Sequence, residues 1–220
     1  MTGDPNRISS LTLNRLSLYL RCLRELGEEG VPTISSQELA DRLGVSAAQI
    51  RRDLAHFGDF GIRGVGYGVD ELASSLGHVL GLDRTHPIII VGAGNLGSAL
   101  AQFLNFSDLS FRVVAAVDND PAKIGRKIGR IAIESSDRLA AVVRRSQAEI
   151  GVLTVPRPAA QKNYDALAAA GIRAVLNFAP VRLRRSPEVV TKSVDLRVFL
   201  EELGFYLGRS PDNGSAPGRS

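Results

Sequence analysis

A single cysteine, Cys22, excludes any disulfide within this 220-residue chain and fits a reducing cytoplasm. It lies in a leucine-rich helical pattern, so a small buried hydrophobe is its expected role. Long apolar runs are missing too: none approaches the ~20 residues needed to span a bilayer. No charged-then-apolar leader precedes a small-residue cleavage site, so a soluble cytoplasmic protein with no membrane partner is expected. Histidine is scarce: His56, His78 and His86 all lie in the first 86 residues, and no histidine–cysteine cluster offers a metal site. There is no internal repeat. Nor is there a surplus of positive charge where it would be most telling. The net charge is +4, yet residues 1–86 carry nine Lys and Arg against eleven Asp and Glu. Net charge therefore identifies no nucleic-acid partner; local geometry has to.

What the chain does have is an apolar strand running into a glycine turn. Ile88-Ile89-Ile90-Val91 leads into Gly92-Ala93-Gly94-Asn95-Leu96-Gly97, the spacing G-x-G-x-x-G, and a second apolar run, 113–117, ends in Asp118. Each part has a mechanical reason. Gly92 permits a tight strand-to-helix turn, Gly94 lets backbone N–H groups approach a pyrophosphate, and Gly97 lets the helix pack close to the strand. Asp118 stands where a carboxylate accepts hydrogen bonds from an adenosine ribose, favouring NAD over a 2′-phosphorylated cofactor. An α/β domain with a glycine-rich turn and no ligand is the bland alternative. Strands are expected near 88–92, 113–118, 131–133, 149–155 and 173–178, with helices near 95–106, 136–146 and 158–170. That alternation describes an α/β, Rossmann-type doubly wound parallel sheet. The expected domains are 1–85 and 86–208, followed by a disordered polar tail at 209–220.

In the first third, after a flexible lead-in through Ser10, Leu13, Leu16, Leu20 and Leu23 recur at helical spacing. Ser35-Ser36-Gln37-Glu38 and Ser46-Ala47-Ala48-Gln49 read as capping boxes of two helices joined by a turn at Gly44-Val45. That is a helix-turn-helix, its second helix running to about Phe57. Gly58, Gly61, Gly64, Gly66 and Gly68 alternate with Phe60, Ile62, Val65 and Tyr67, which reads as a short hairpin, or wing. On the second helix Ile50, Leu54 and Phe57 face the core. The opposite side shows Ala48, Arg52, Ala55 and His56, flanked by Gln49 and Arg51, and suits a major groove. Arg63, between glycines, suits a minor groove or a phosphate. The alternative is a protein-interaction module with a solvated Arg51-Arg52 face, since Asp53 and Asp59 nearly offset the arginines.

A dinucleotide fold suggests a dehydrogenase, but hydride transfer needs an acid–base group or a metal near the nicotinamide. Tyr164 has Ala168, not lysine, four residues on, and no histidine, cysteine or carboxylate cluster follows the fourth strand. The expected class is a non-enzyme that senses the dinucleotide. Its rivals are an oxidoreductase with an appended interaction domain and a winged-helix scaffold that holds NAD structurally. Thr154-Val155-Pro156 and Asn177-Phe178 end the fourth and fifth strands, where a dinucleotide spans the switch point. An apolar lining there favours the neutral ring of NADH over the cationic ring of NAD⁺. The basic run Lys123, Arg126, Lys127 and Arg130 is expected to be a solvated loop. From an expected N-cap at Asp195, the last helix carries Leu196, Phe199, Leu203, Tyr206 and Leu207 and is apolar nearly all round. It is expected to insert into a second copy.

These motifs, in this order, resemble the Rex family of redox-sensing transcriptional repressors from about Arg15 to Leu207. The resemblance rests on Tyr19-Leu20-Arg21, Gln49-Ile50-Arg51-Arg52-Asp53-Leu54 with Phe57-Gly58, and the wing Arg63-Gly64-Val65-Gly66-Tyr67. It continues through the fingerprint, Leu153-Thr154-Val155-Pro156, Ala160-Gln161 and Asn177-Phe178-Ala179-Pro180. It implies a homodimer of winged-helix and Rossmann domains with a swapped final helix, bound to inverted-repeat operator DNA while NADH is low and released by NADH. The implied NADH/NAD⁺ site comprises Gly92, Ala93, Gly94, Asn95, Leu96, Gly97, Phe103, Asp118, Thr154, Val155, Pro156, Asn177 and Phe178. The DNA-facing set is Arg15, Ser46, Ala48, Gln49, Arg51, Arg52, His56, Arg63, Gly64 and Tyr67. Arg21 and Asp195 match a family arginine and aspartate, expected to pair between subunits in the DNA-bound state. Phe103 stands where many relatives carry tyrosine, keeping the ring without the hydroxyl.

Overall fold

The computed structural model describes residues 8–58, 60–62, 64–106 and 110–208. Its contacts divide the chain into two units, Met1–Thr85 and His86–Ser220. The wing residue Arg63 and the tail 209–220 lie outside the described residues.

In the first unit, side-chain hydroxyls start the helices. Ser9 caps α1 (Ser10–Glu28), which therefore begins where a lead-in was expected. Leu16, Tyr19, Leu20, Leu23 and Leu26 form its buried stripe against α2 and α4, while Leu13 stays on the exposed side. After the short strand β1 (Thr33–Ile34), Ser35 and Glu38 close a reciprocal capping box on α2 (Ser36–Leu43). Gly44 ends α2 in the left-handed region at φ 66°. Ser46 then caps α3 (Ala47–Leu54), but this second box is only half made: Gln49 donates its backbone N–H to Ser46 and sends its side chain to Asp53. Helix α3 stops three residues short of Phe57. His56 and Phe57 bond back only three residues, to Asp53 and Leu54, which tightens the last turn. The wing is less regular than a hairpin. Ile62 and Gly66 make one bridge, and β2 (Tyr67–Gly68) pairs antiparallel with β1. A Cβ on Gly66 would lie 2.5 Å from the Ile34 carbonyl oxygen, so only glycine passes there. Helix α4 (Val69–Val79) returns along α1 and completes the core.

At the junction of α1 and α3 sits a buried carboxylate. Asp53, 2% exposed, accepts from Arg15 Nε at 2.6 Å and Nη2 at 2.7 Å, Tyr19 Oη at 2.8 Å and Gln49 Nε2 at 2.9 Å. Burial pushes its pKa up, but these donors overcome burial and hold it below the usual carboxylate range. Burial first, and then the bond to Asp53, raise the Tyr19 phenol.

The second unit alternates strand and helix around a seven-stranded sheet. The elements are β3 (His86–Val91), α5 (Asn95–Phe106), β4 (Phe111–Asp118), β5 (Lys127–Ile128), β6 (Ile131–Ser135), α6 (Leu139–Ser146), β7 (Ile150–Leu153), α7 (Arg157–Ala169), β8 (Ala174–Asn177), β9 (Val190–Ser193) and α8 (Leu196–Leu207). The order is β5-β6-β4-β3-β7-β8-β9, parallel throughout except for the β5–β6 pair. Ile89 and Val91 enter one apolar cluster and Ile88 and Ile90 another, so β3 is buried on both faces. The chain winds outward from β3 through β4 and then from β7 through β8. Their carboxyl ends thus form the switch-point crevice of a doubly wound sheet. Close approach holds it together: a Cβ on Gly97 would lie 2.0 Å from the Gly92 carbonyl oxygen and 2.7 Å from Thr154 Oγ1. Asp195 caps α8, whose described side chains are all exposed, Phe199 and Tyr206 included.

Asp53→Asn removes the anion under a guanidinium that is still partly solvated, which costs roughly 3 kcal/mol, the low end for breaking a buried pair. Because the Asp53 pKa is lowered by folding, its contribution is full above the unfolded carboxylate value near ~3.9 and is lost as pH falls through the folded value. The gap between wild type and Asp53→Asn in urea melts should therefore be widest at neutral pH and close in acid. In the same assay Gly97→Ala should cost about 3 kcal/mol or more by overpacking backbone, whereas Gly94→Ala, whose Cβ meets nothing within 4 Å, should cost no more than about 0.5 kcal/mol.

Candidate functional site

A cavity of about 670 Å³ opens at the carboxyl ends of β3, β4 and β7. Its floor is the glycine turn. Gly92, at φ 101°, leaves β3 in a conformation that side chains rarely adopt, and Thr154 Oγ1 donates to its carbonyl oxygen at 2.7 Å. Gly94 lines the opening, where a Cβ would project into free space, and α5 begins at Asn95 with its positive end at this turn. Val155, Pro156 and Ala159 line it as well.

Asp118 borders the same space at the end of β4, only 6% exposed. Its Oδ2 accepts from Ala93 N at 2.8 Å and Lys123 Nζ at 3.1 Å, and its Oδ1 from Asp120 N at 2.9 Å. Burial pushes its pKa up, but the Asp120 N–H, Lys123 and the Ala93 N–H together hold it lower. A carboxylate has about four acceptor positions, so one stays open to a ribose hydroxyl. Lys123 is consequently not a solvated loop residue: it neutralises Asp118 and reaches Asp120 at 3.7 Å.

A dinucleotide fits these groups: a glycine cradle, a helix N-terminus and a carboxylate with spare capacity. Several expected contacts are not brought to the lining. Ala93 is buried, and Asn95 and Leu96 are exposed, all three outside the lining. Phe103 is 64% exposed on α5 and outside the cavity wall. Asn177 is wholly buried, its amide donating to Ala179 O, Val181 O and Ser193 Oγ and accepting from Ala179 N, so it clamps the loop after β8. Phe178 packs against the apolar cluster. Conversely Ser136, Asp137, Lys162 and Asn163 line the space, although the motifs and their spacing do not point to them. The signal for the last two was present: Ala159, Lys162, Asn163 and Ala166 form an i, i+3, i+4, i+7 stripe on α7.

On the first unit, α3 exposes Ala48, Arg51 and Arg52. Arg51 Nη1 donates to Ser36 Oγ at 2.8 Å, and Arg52 Nη1 to Gln49 Oε1 at 3.4 Å. His56 lies past the helix end and its ring Nδ1 donates to the Arg52 carbonyl oxygen at 2.7 Å. A groove of about 580 Å³ runs between α3 and the wing, lined by Ser36, Arg51, Gly64 and Val65 among others. Four expected DNA-facing residues are otherwise employed. The Arg15 guanidinium is bound to Asp53, the Gln49 amide donates to the same carboxylate, Ser46 caps α3, and the Tyr67 ring is buried in the core. Arg21 is exposed on α1. Asp195 accepts from the Arg197 backbone N–H and pairs with its Nη2 at 2.8 Å, and that guanidinium lowers its pKa. Among the described residues no cluster of three or more His, Cys, Asp or Glu could hold a metal, and no helix is long and apolar enough to cross a membrane.

Comparison with known proteins follows this division. Residues 7–55 match a family described as a putative DNA-binding protein N-terminus, and residues 83–181 one described as a CoA binding domain. The redox-sensing transcriptional repressor Rex of Syntrophomonas wolfei is 49% identical over 201 residues, covering 91% of this chain and 96% of that protein. The Rex of Streptomyces griseus is 43% identical over 209 residues, covering 95% of this chain and 83% of its own. Among solved structures, RSP in complex with β-NAD⁺ and operator DNA superposes with a TM-score of 0.87 at 39% identity, over 91% of this chain and 93% of that one. RSP in complex with β-NADH gives 0.84 at 37% identity, over 92% and 95%. With this identity sustained over nearly its whole length, the chain belongs to the Rex family of redox-sensing transcriptional repressors.

Proposed function

We propose that this chain represses transcription from a double-stranded operator while NADH is scarce and leaves the operator when NADH occupies the crevice. It acts as a cytoplasmic homodimer and a sensor, not an enzyme. The observation that carries this reading is the presence, in one chain, of a capped helix-turn-helix with exposed arginines and a glycine cradle beside Asp118. The relative RSP has been solved both with β-NAD⁺ and operator DNA and with β-NADH, and supports joining the two sites in one protein.

In the crevice, the backbone at Gly92 and Gly94 would hold the pyrophosphate and Asp118 the adenosine ribose. The dinucleotide supplies a ring that is cationic when oxidised and neutral when reduced. Val155, Pro156 and Ala159 offer an apolar wall that favours the neutral form. On the DNA side, Ala48 allows close approach and Arg51 and Arg52 supply donors. Linkage joins the two: the released arrangement binds NADH more tightly than the DNA-bound one, and DNA weakens NADH by the same factor. A shift from 1:99 to 99:1 needs about 5.5 kcal/mol of such preference. The exposed apolar α8 supports the homodimer, with each copy covering the other's helix. Arg21 and Asp195 of opposite subunits pair in the DNA-bound state, where Arg21 takes over the carboxylate that Arg197 holds within the chain.

A mobility-shift titration on an inverted-repeat operator at fixed salt should show release by NADH, with far less by NAD⁺, and no response from Gly94→Ala. Retention of DNA at saturating NADH contradicts the reading. In the same assay Asp195→Ala should weaken operator affinity or blunt the NADH response; no change in either would remove the Arg21 pairing from the switch.

A further inference from the structure

On the proposed reading of α3 as the DNA-reading helix, position alone, one turn before the exposed Arg52, would assign the half-buried Gln49 to a base edge. Its bonds assign it elsewhere. A glutamine reading adenine presents both its amide N–H₂ and its amide oxygen to the base. Here the N–H₂ donates at 2.9 Å to Asp53 Oδ1, a carboxylate that is nearly sealed from solvent and already receives Arg15 and Tyr19. An ionised carboxylate only accepts, so the amide has one permitted orientation: nitrogen inward, oxygen outward. The outward oxygen then meets Arg52 Nη1 at 3.4 Å. Gln49, Arg52 and Asp53 stand at i, i+3 and i+4, the spacing at which helix side chains are neighbours. The long contact to Gln49 occupies one of the five Arg52 donors, while Arg52 itself is exposed.

We propose that Gln49 is a positioning residue and not a base reader: anchored by Asp53, its amide oxygen steers the Arg52 guanidinium, and Arg52 makes the base contact. The sequence preference of α3 then comes from Arg52, with Gln49 acting only through it. Arg52 suits the paired acceptors of a guanine edge.

The test selects from a library of randomised duplexes, comparing the full-length chain with Gln49→Ala, Arg52→Ala and the double variant at fixed salt. Gln49→Met keeps the length and helix preference of the side chain without its amide, and serves as a second variant should Gln49→Ala fold poorly by circular dichroism. Gln49→Ala and Gln49→Met should each weaken binding at least about threefold and relax preference at the same base pair as Arg52→Ala. The double variant should bind within about twofold of Arg52→Ala alone, because coupled residues are non-additive. The Gln49 variants should also keep the wild-type salt slope, since no phosphate contact is lost. Relaxation at a different base pair, multiplicative losses, or no effect of either Gln49 variant would overturn the inference while leaving the proposed function intact. Absence of any sequence preference in the unsubstituted chain would overturn both.

Discussion

One crowded point governs the second unit: the Gly92 carbonyl, the Cα of Gly97 and the Thr154 hydroxyl converge where no further carbon fits. That crowding draws α5 onto β3 and ties the end of β7 to both. The crevice is therefore a by-product of strand-to-helix packing before it is a binding site. Asp118 reinforces the same turn through Ala93 N–H. Because the carboxylate that would greet a ribose also braces the glycine loop, ligand binding and local rigidity share one group. Lys123 offsets its charge, so the Asp118 end of the cavity is less anionic than the sequence spacing implies.

The first unit solves a different problem, that of keeping arginines useful in a segment with no net positive charge. It sorts them by partner. Arg15 is consumed by Asp53 and serves packing, whereas Arg51 and Arg52 stay at the surface with light contacts to Ser36 and Gln49. Counting charges could not reveal this, since Asp53 appears in composition as an offset to the arginines. In space it neutralises Arg15 and leaves Arg51 and Arg52 at the surface.

Elements with strong periodicity or a chemical start signal were legible in the sequence. The Ser35 box, the Gly44 stop, the β3 fingerprint and α5 to Phe106 all follow from local rules. What escaped depends on distant partners. Strand β9 carries Val190-Thr191-Lys192-Ser193 with only Thr191 buried, too weak an alternation to stand out, and exists because β8 supplies its ladder. Asn177 sits at a strand end, the right place for a ligand contact, yet its amide is absorbed by the Ala179–Val181 loop and Ser193. The expected end of α3 at Phe57 followed apolar spacing, which cannot register that the final turn tightens. At the sites, residue type and spacing located the glycines and Asp118, while Lys162 and Asn163 depended on which stripe of α7 faces the cavity.

Helix α8 has twelve residues and no buried face in its own chain. A free helix of that length is marginal in water, because nucleation is costly and few backbone bonds repay it. Its fold is then lent by whatever covers it. With a second copy as the cover, the order of this segment depends on the abundance of the protein itself, and dilution would unwind it well before it disturbed the sheet.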